Sequence, residues 1–189
     1  MKQKNKVPII LLLCIVSVQY LVALNQKAER LNDNWQFLKS DLGGIWEAVR
    51  PVKAGDPESV PVWEKVTLPY SYNALDAVDP DVHYYQGPAW YKNTLDIQNP
   101  YKTGRVLLHF EGAGQKTDVY IYTTKVGSNV GGYDEWTVDI TDAVNDFRKN
   151  EQLAKQFDGK IPVAIRTDNT RDLEMMPSDL SDFNLYGGI

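Results

Sequence analysis

Few side chains in this sequence stand in a pattern that performs covalent chemistry. Nucleophilic catalysis needs a base held against a Ser, Cys or Thr. The two histidines, His83 and His109, are far apart and lie outside any nucleophile-elbow context, and His109 falls on the outward side of an alternating run. Zinc fares no better, since two distant histidines without cysteine give no ligand spacing. The glycine pairs of "VGGY" (130–133) and "YGGI" (186–189) lack the strand-to-helix setting of a phosphate loop. They read as tight turns or bulges between strands. Asp76, Asp79 and Asp81 in "DAVDPD" form an acidic loop that is either solvated or suited to a hard cation. No catalytic group and no metal ligand is assigned.

The aromatic residues say more. "DVHYYQGPAWYKN" packs Tyr84, Tyr85, Trp90 and Tyr91 around a Gly-Pro turn. Aromatic faces beside polar hydrogen-bonding groups are what sugar rings stack on. Trp90 reads as core; for Tyr85 and Gln86, at the loop, sugar contact and simple filling both stand.

Alternating runs must position these residues. In "RVLLHFEG" Val106, Leu108 and Phe110 face one way while Arg105, His109 and Glu111 face the other. Such a period of two marks a half-buried strand. "KTDVYIYTTKVG" sets Val119 and Ile121 against Asp118, Tyr120 and Tyr122. "DEWTVDI" aligns Trp136, Val138 and Ile140, and "KIPVAIRTDN" aligns Ile161, Val163 and Ile165. Less regular strands lie at "WQFLK", "VWEKVTLP" and "AWYKNTLDI", separated by "KAGDPESVP" and the Asp76–Pro88 stretch, where Gly, Pro and Asp punctuate the backbone. Many short strands with such breaks predict an all-β sandwich. The polar stretch 142–156 departs from the pattern. It places Val144, Phe147 and Leu153 at helical spacing, which predicts a short helix or an inserted loop.

The first residues differ from the rest. "MKQKNK" supplies three lysines, then "VPIILLLCIVSVQYLVAL" runs apolar with Ala23 as a small residue for cleavage. That is the layout of a secretory signal peptide over residues 1–23, followed by one domain over 24–189. The rival is a retained anchor helix, since ~18 apolar residues is the lower limit for spanning a bilayer. Cleavage would remove the three lysines and take the formal charge from -5 to -8. It would also remove Cys14, the sole cysteine, so no disulfide would staple the exported fold. An acidic balance with no basic run argues against nucleic acid and anionic membrane. Neutral partners such as sugars fit better, in a periplasmic or extracellular setting.

The order "TLPYSYN", "YYQGPAWYKNTL", "HFEGAGQKTDVYI", "VGGYDEWTVDIT", "IRTDN" and "SDFNLYGGI" resembles the N-terminal sugar-binding domain of glycoside hydrolase family 2, particularly its bacterial β-galactosidase branch. The resemblance runs from about Leu31 to Ile189. It implies a galactose-binding-like jelly roll that binds a β-galactoside or related carbohydrate. It also implies an immunoglobulin-like domain and a TIM barrel beyond this domain, the barrel carrying both glutamates of the retaining mechanism. Those parts are not in this chain, which is therefore expected to be inactive alone. In the family the closing motif runs into a further strand, so the final strand of the jelly roll is expected to be missing.

By the same resemblance Asp182, seven residues before Ile189, reaches sugar hydroxyls, in some members beside a bound monovalent cation; no other cofactor is implied. A second contact, an Asn in the family, falls where this chain has "YYQG", so Tyr85 or Gln86 would serve. Asn73 in "SYN" matches a common family position, with fixing of the loop through backbone hydrogen bonds as its alternative role. Where the family usually has Asn-Gly in a hairpin, this chain has Thr123-Thr124, and β-branched residues resist the positive φ of a type I′ turn. A longer or different turn is expected. Besides a fragment of an exported hydrolase, the sequence admits a free-standing carbohydrate-binding module and a structural β domain that docks on another chain.

Overall fold

The computed structural model describes residues 28–51, 61–76, 78–99, 103–176 and 184–189. The leader-like stretch 1–23 and Asp182, with the cation implied beside it, lie outside the described residues. The chain divides into two units, Met1–Leu31 and Asn32–Ile189, and the second carries the fold.

That unit is an all-β sandwich. In chain order its elements are β1 (Trp35–Leu38), α1 (Ile45–Val49), β2 (Glu64–Val66), β3 (Pro88–Leu95), β4 (Leu107–Phe110), β5 (Lys116–Ile121), β6 (Thr124–Val130), β7 (Trp136–Asp139), α2 (Thr141–Lys149), α3 (Glu151–Gln156) and β8 (Ile161–Asp168). Six strands form one sheet in the order β2-β1-β3-β8-β5-β6, and β4 pairs with β7 in a second. Every pairing is antiparallel. The registers explain the alternation seen in the sequence: Phe37 lies opposite Tyr91, Tyr91 opposite Ile165, and Ile165 opposite Val119. All four are buried on one face, and each aliphatic side chain so buried is worth about 1.5–3 kcal/mol. On the smaller sheet Phe110 stacks on Trp136, with ring centroids 4.4 Å apart. Val138 approaches β6 so closely that a Cβ on Gly127 would lie 2.6 Å from its methyl group.

The stretch after Thr141 folds as two helices, α2 and α3, rather than one. The Asn150 side chain accepts from the Leu153 backbone N–H at 3.0 Å and starts the second, satisfying one of its free donors. Val144 and Phe147 are the buried stripe of α2, and Phe147 meets Tyr122 and Phe157 edge-on. Helix α1 has no forerunner in the sequence reading. It covers the outer face of the large sheet, where Ala48 and Val49 pack with Trp90 and Ala164. β8 is buried on both faces from Ile161 to Ile165, with Ala164 part of this cluster.

The β5–β6 hairpin turns tightly through Tyr122 and Thr123, with Ile121 opposite Thr124. The turn is therefore not longer, but it is different. Tyr122 takes the positive φ of 51° and Thr123 does not, so the geometry is not type I′, which needs positive φ at both residues. A bulge after Val119 absorbs the change in register.

Lys92 joins α1 to the sheet. Its ammonium donates to the Ala48 carbonyl at 3.1 Å and sits 4.0 Å above the Trp63 ring. Burial, with the Arg50 charge second, lowers its pKa to about 8 from 10.5. Between those two values the unfolded chain holds more protons at this residue than the folded one, so stability rises as pH climbs through 8. Above pH 10 the trend reverses, because burial holds the Tyr72 and Tyr91 phenols protonated well above the range of exposed tyrosine. Urea titrations at pH 7.5 and 9.5 should show the native chain more stable at the higher pH, with Lys92→Met losing that gain. An equal gain in the variant would refute the assignment.

Candidate functional site

One end of the large sheet gathers the residues singled out in the sequence. Pro88, Asp168, Lys116 and Val130 stand in a row across β3, β8, β5 and β6, and the loops leaving that row form the site. Strand β3 sends out Tyr85–Gly87, β8 sends out Asn169, and the segment 184–189 passes between two neighbours. Gly188 bridges Ser71 on one side and Gly114 on the other. The backbone bonds Tyr70 N–H to Ile189 O (2.8 Å), Tyr72 N–H to Gly187 O (3.0 Å) and Gly114 N–H to Gly188 O (2.9 Å) complete this short ladder. The sequence suggested a tight turn or a bulge between strands; Gly187 and Gly188 instead lie in this ladder, Gly188 bridging both neighbours. They let three backbones pass at close range: a Cβ on Gly187 would lie 2.0 Å from the Tyr72 ring.

Two asparagines clasp the loops. The Asn73 amide donates to Leu185 O at 2.9 Å and to Tyr85 O at 3.2 Å, while its oxygen accepts from Gly187 N–H at 2.9 Å. The Asn169 amide donates to the same two carbonyls, at 2.7 and 3.1 Å, and its oxygen accepts from Gly87 N–H at 2.8 Å. Both residues are fully buried. Buried amides with both N–H donors and the oxygen engaged specify one arrangement of the chain. Asn73 thus occupies the loop-fixing position anticipated as its alternative role. Asn169 was missed, although an Asn directly after an alternating run, in "IRTDN", is a signal for a residue that bonds to neighbouring backbone.

Tyr85 is half-buried beside this clasp. Its hydroxyl donates to Pro88 O at 2.7 Å, its ring meets Tyr72 edge-on, and the Lys39 ammonium lies 5.0 Å from its centroid. Asp76 accepts from the Tyr85 N–H at 3.0 Å and pairs with Lys39 at 3.3 Å. This carboxylate is accordingly an anchor of the loop and not simply solvated. Burial, then the carboxylates of Asp168 and Asp41, holds the Tyr85 phenol above its ordinary pKa. It stays neutral across physiological pH. Gln86 is half-buried, next to Tyr85, and makes no side-chain hydrogen bond among the described residues. The structure so brings Asn73, Tyr85 and Gln86 together, and it pins Leu185, three residues past Asp182.

Chemically, this end leaves the half-buried Gln86 amide free among the described residues beside the Tyr85 ring, with the charged pair of Lys39 and Asp76 next to it. Among the described residues no group of three or more His, Cys, Asp or Glu gathers as a metal site. His109 is exposed on β4 against Thr137 and Glu135, and His83 is exposed in the loop before Tyr84.

The chain matches no protein-family model. It does match known enzymes over most of its described length. β-Glucuronidase from Bacteroides fragilis is 34% identical over 159 residues, covering 84% of this chain and 19% of that protein. β-Galactosidase from Thermoanaerobacterium thermosulfurigenes is 28% identical over 160 residues, covering 84% and 20%. Among solved structures, Bacteroides uniformis β-glucuronidase 3 superposes with a TM-score of 0.82 at 61% identity, over 86% of this chain and 21% of that one. The chain thus spans about a fifth of the length of the proteins it matches.

Proposed function

We infer from this kinship, by which the chain belongs to the glycoside hydrolase family 2 β-glucuronidases and β-galactosidases, that it serves as the sugar-binding N-terminal domain of an exported enzyme hydrolysing a β-linked glycoside. The observation that carries the inference is the agreement in fold and sequence with β-glucuronidase 3 of Bacteroides uniformis over 86% of the chain. The identity of 61% to that enzyme, against 28% to the β-galactosidase, favours a β-glucuronide as the substrate of the complete protein. A β-galactoside remains the second reading, supported by that more distant match. Hydrolysis itself falls to a catalytic domain bearing the carboxylate pair. The role of this domain is to present loop residues to the sugar, with Asp182 accepting from its hydroxyls and Gln86 and Tyr85 supplying neutral contacts. The clasp of Asn73 and Asn169 holds the backbone on either side of those contacts. Residues 1–23 would direct export.

A chimera tests this. Residues 1–189 replace the matching segment of Bacteroides uniformis β-glucuronidase 3, and hydrolysis of aryl β-glucuronide and aryl β-galactoside is assayed in cytoplasmic and exported fractions. Activity on the glucuronide is expected, in the exported fraction. Asp182→Ala should lower kcat/KM by about 10- to 150-fold, the worth of one hydrogen bond to a charged group at about 1.5–3 kcal/mol. A soluble but inactive chimera would sink the reading, activity confined to the cytoplasm would sink export, and an unaffected Asp182→Ala would remove that residue from the site.

A further inference from the structure

Outside the asparagine clasp, the same end of the sandwich exposes two tyrosines on neighbouring loops. Tyr133 is 68% exposed and Tyr186 44%. Their backbones meet at one glycine: a Cβ on Gly114 would lie 3.1 Å from Tyr186 O and 3.6 Å from the Cα of Gly132, the residue before Tyr133. The loop is tied down at Gly131, whose N–H donates to Gln115 O at 2.8 Å. The Asn184 amide donates to the Tyr186 hydroxyl at 3.3 Å, which orients that phenol. Tyr84 lies close enough that Tyr186 and Tyr133 raise its pKa, after burial as the leading cause.

Beneath these loops is a polar side chain without a partner among the described residues. Both amide atoms of Gln115 are buried and make no hydrogen bond among the described residues, and Gln115 is 1% exposed. Its Cγ lies 3.2 Å from where a Cβ on Gly132 would stand. A buried polar atom left unpaired costs about 1–3 kcal/mol, so the Gln115 amide has hydrogen-bonding capacity that a water bridging it to a ligand hydroxyl would satisfy. Exposed aromatic faces above unmet donors and acceptors match a ring that has apolar C–H faces and a hydroxyl edge. Charge narrows the choice. Asp134 adjoins Tyr133, its Oδ1 2.4 Å from where a Cβ on Gly131 would lie, and the chain carries a net charge of -5. A carboxylated ring would be repelled here.

We propose that Tyr133 and Tyr186 form a platform for a neutral pyranose ring of a β-linked oligosaccharide, a subsite separate from the Asp182 contact. This rests on the sugar-binding reading above and adds to it: the ring held here is the neutral neighbour of the sugar to be cleaved. The 189-residue chain, labelled with 13C-tyrosine, is titrated with lactose and with glucuronate and followed by NMR. Lactose should shift the Tyr133 and Tyr186 resonances saturably, and glucuronate should not. Tyr133→Ala and Tyr186→Ala should each weaken lactose binding at least fivefold, whereas Trp46→Ala, half-exposed beside Tyr122 at the hairpin end, should leave it unchanged. Lactose binding that is absent, or equal in wild type and both tyrosine variants, overturns the platform. Glucuronate binding through the same two tyrosines overturns the neutral-ring assignment. An active chimera alongside either result leaves the enzymatic reading standing, so the two failures are told apart.

Discussion

Replacing Asn73 with alanine should cost the domain about 3 kcal/mol of unfolding free energy, and replacing Asn169 about the same. Each change strips a buried N–H of its acceptor, Gly187 in one case and Gly87 in the other. A buried group so orphaned costs about 1–3 kcal/mol, and the small cavity adds to it. The carbonyls of Tyr85 and Leu185 survive either single change, because each asparagine donates to both. They do not survive the pair. The double variant should exceed the sum of the two singles by about 1–3 kcal/mol, a coupling that urea unfolding in a double-mutant cycle reads directly. Additive costs would show that the two amides do not share their acceptors. Asn73→Asp should be no milder, since the carboxylate keeps the acceptor for Gly187 but turns a charge toward two carbonyl oxygens in a buried place.

Gly187→Ala should be at least as damaging, through space alone. The added methyl would stand 2.0 Å from the Cζ and the hydroxyl of Tyr72. Tyr72 cannot swing aside: it is 5% exposed, stacks on Phe37 with centroids 5.8 Å apart, and donates to Gly87 O at 3.2 Å. Overpacking a rigid site costs about 1–3 kcal/mol and more when no rotamer relieves it. Here the alternative to strain is expulsion of the closing segment. A cooperative melt that splits into two transitions, or a drop in Tm of more than 10 °C, is the expected signature. Gly44→Ala is the control, since nothing lies within 4 Å of its new methyl; it should change stability by no more than about 0.5 kcal/mol. Adding Tyr72→Ala to Gly187→Ala should recover part of the binding of the closing segment, and failure to do so would mean that the clash is not the cause.

The strands were legible because one face of each is buried and the other is not. Val106, Leu108 and Phe110 are more buried than their alternating neighbours, and Trp136 and Val138 repeat the pattern on β7. Legibility failed where a second layer overrides the period. Ala164 breaks the alternation because α1 packs on the face it occupies, and a helix of five residues leaves too short a pattern to read. At the site, the sequence singled out Asn73, Tyr85 and Gln86 individually. That Asn73 holds Leu185, 112 residues away, is a fact of topology that spacing cannot announce. Asn169 went unnoticed for a like reason: its three partners come from two other segments. Gly187 and Gly188 read as a tight turn or a bulge because steric access calls for glycine just as those do, and only the neighbouring segments tell them apart.

The ladder between Tyr70–Tyr72, Gly114 and Gly187–Ile189 also bears on the order of assembly. The bond from Gly187 to Asn73 spans 114 residues, and closing a flexible loop of that length costs about 4 kcal/mol in chain entropy. Hairpins such as β5–β6 meet no such barrier. The large sheet can form while the chain is still emerging during synthesis, but the buried amide of Asn73 must wait for residues that are made more than a hundred positions later. Until they arrive, this end of the sandwich is an open seam, with Tyr72 and its neighbours uncovered. The clasp is therefore a checkpoint of folding: it closes only on a chain that has been made past Gly187 and Gly188.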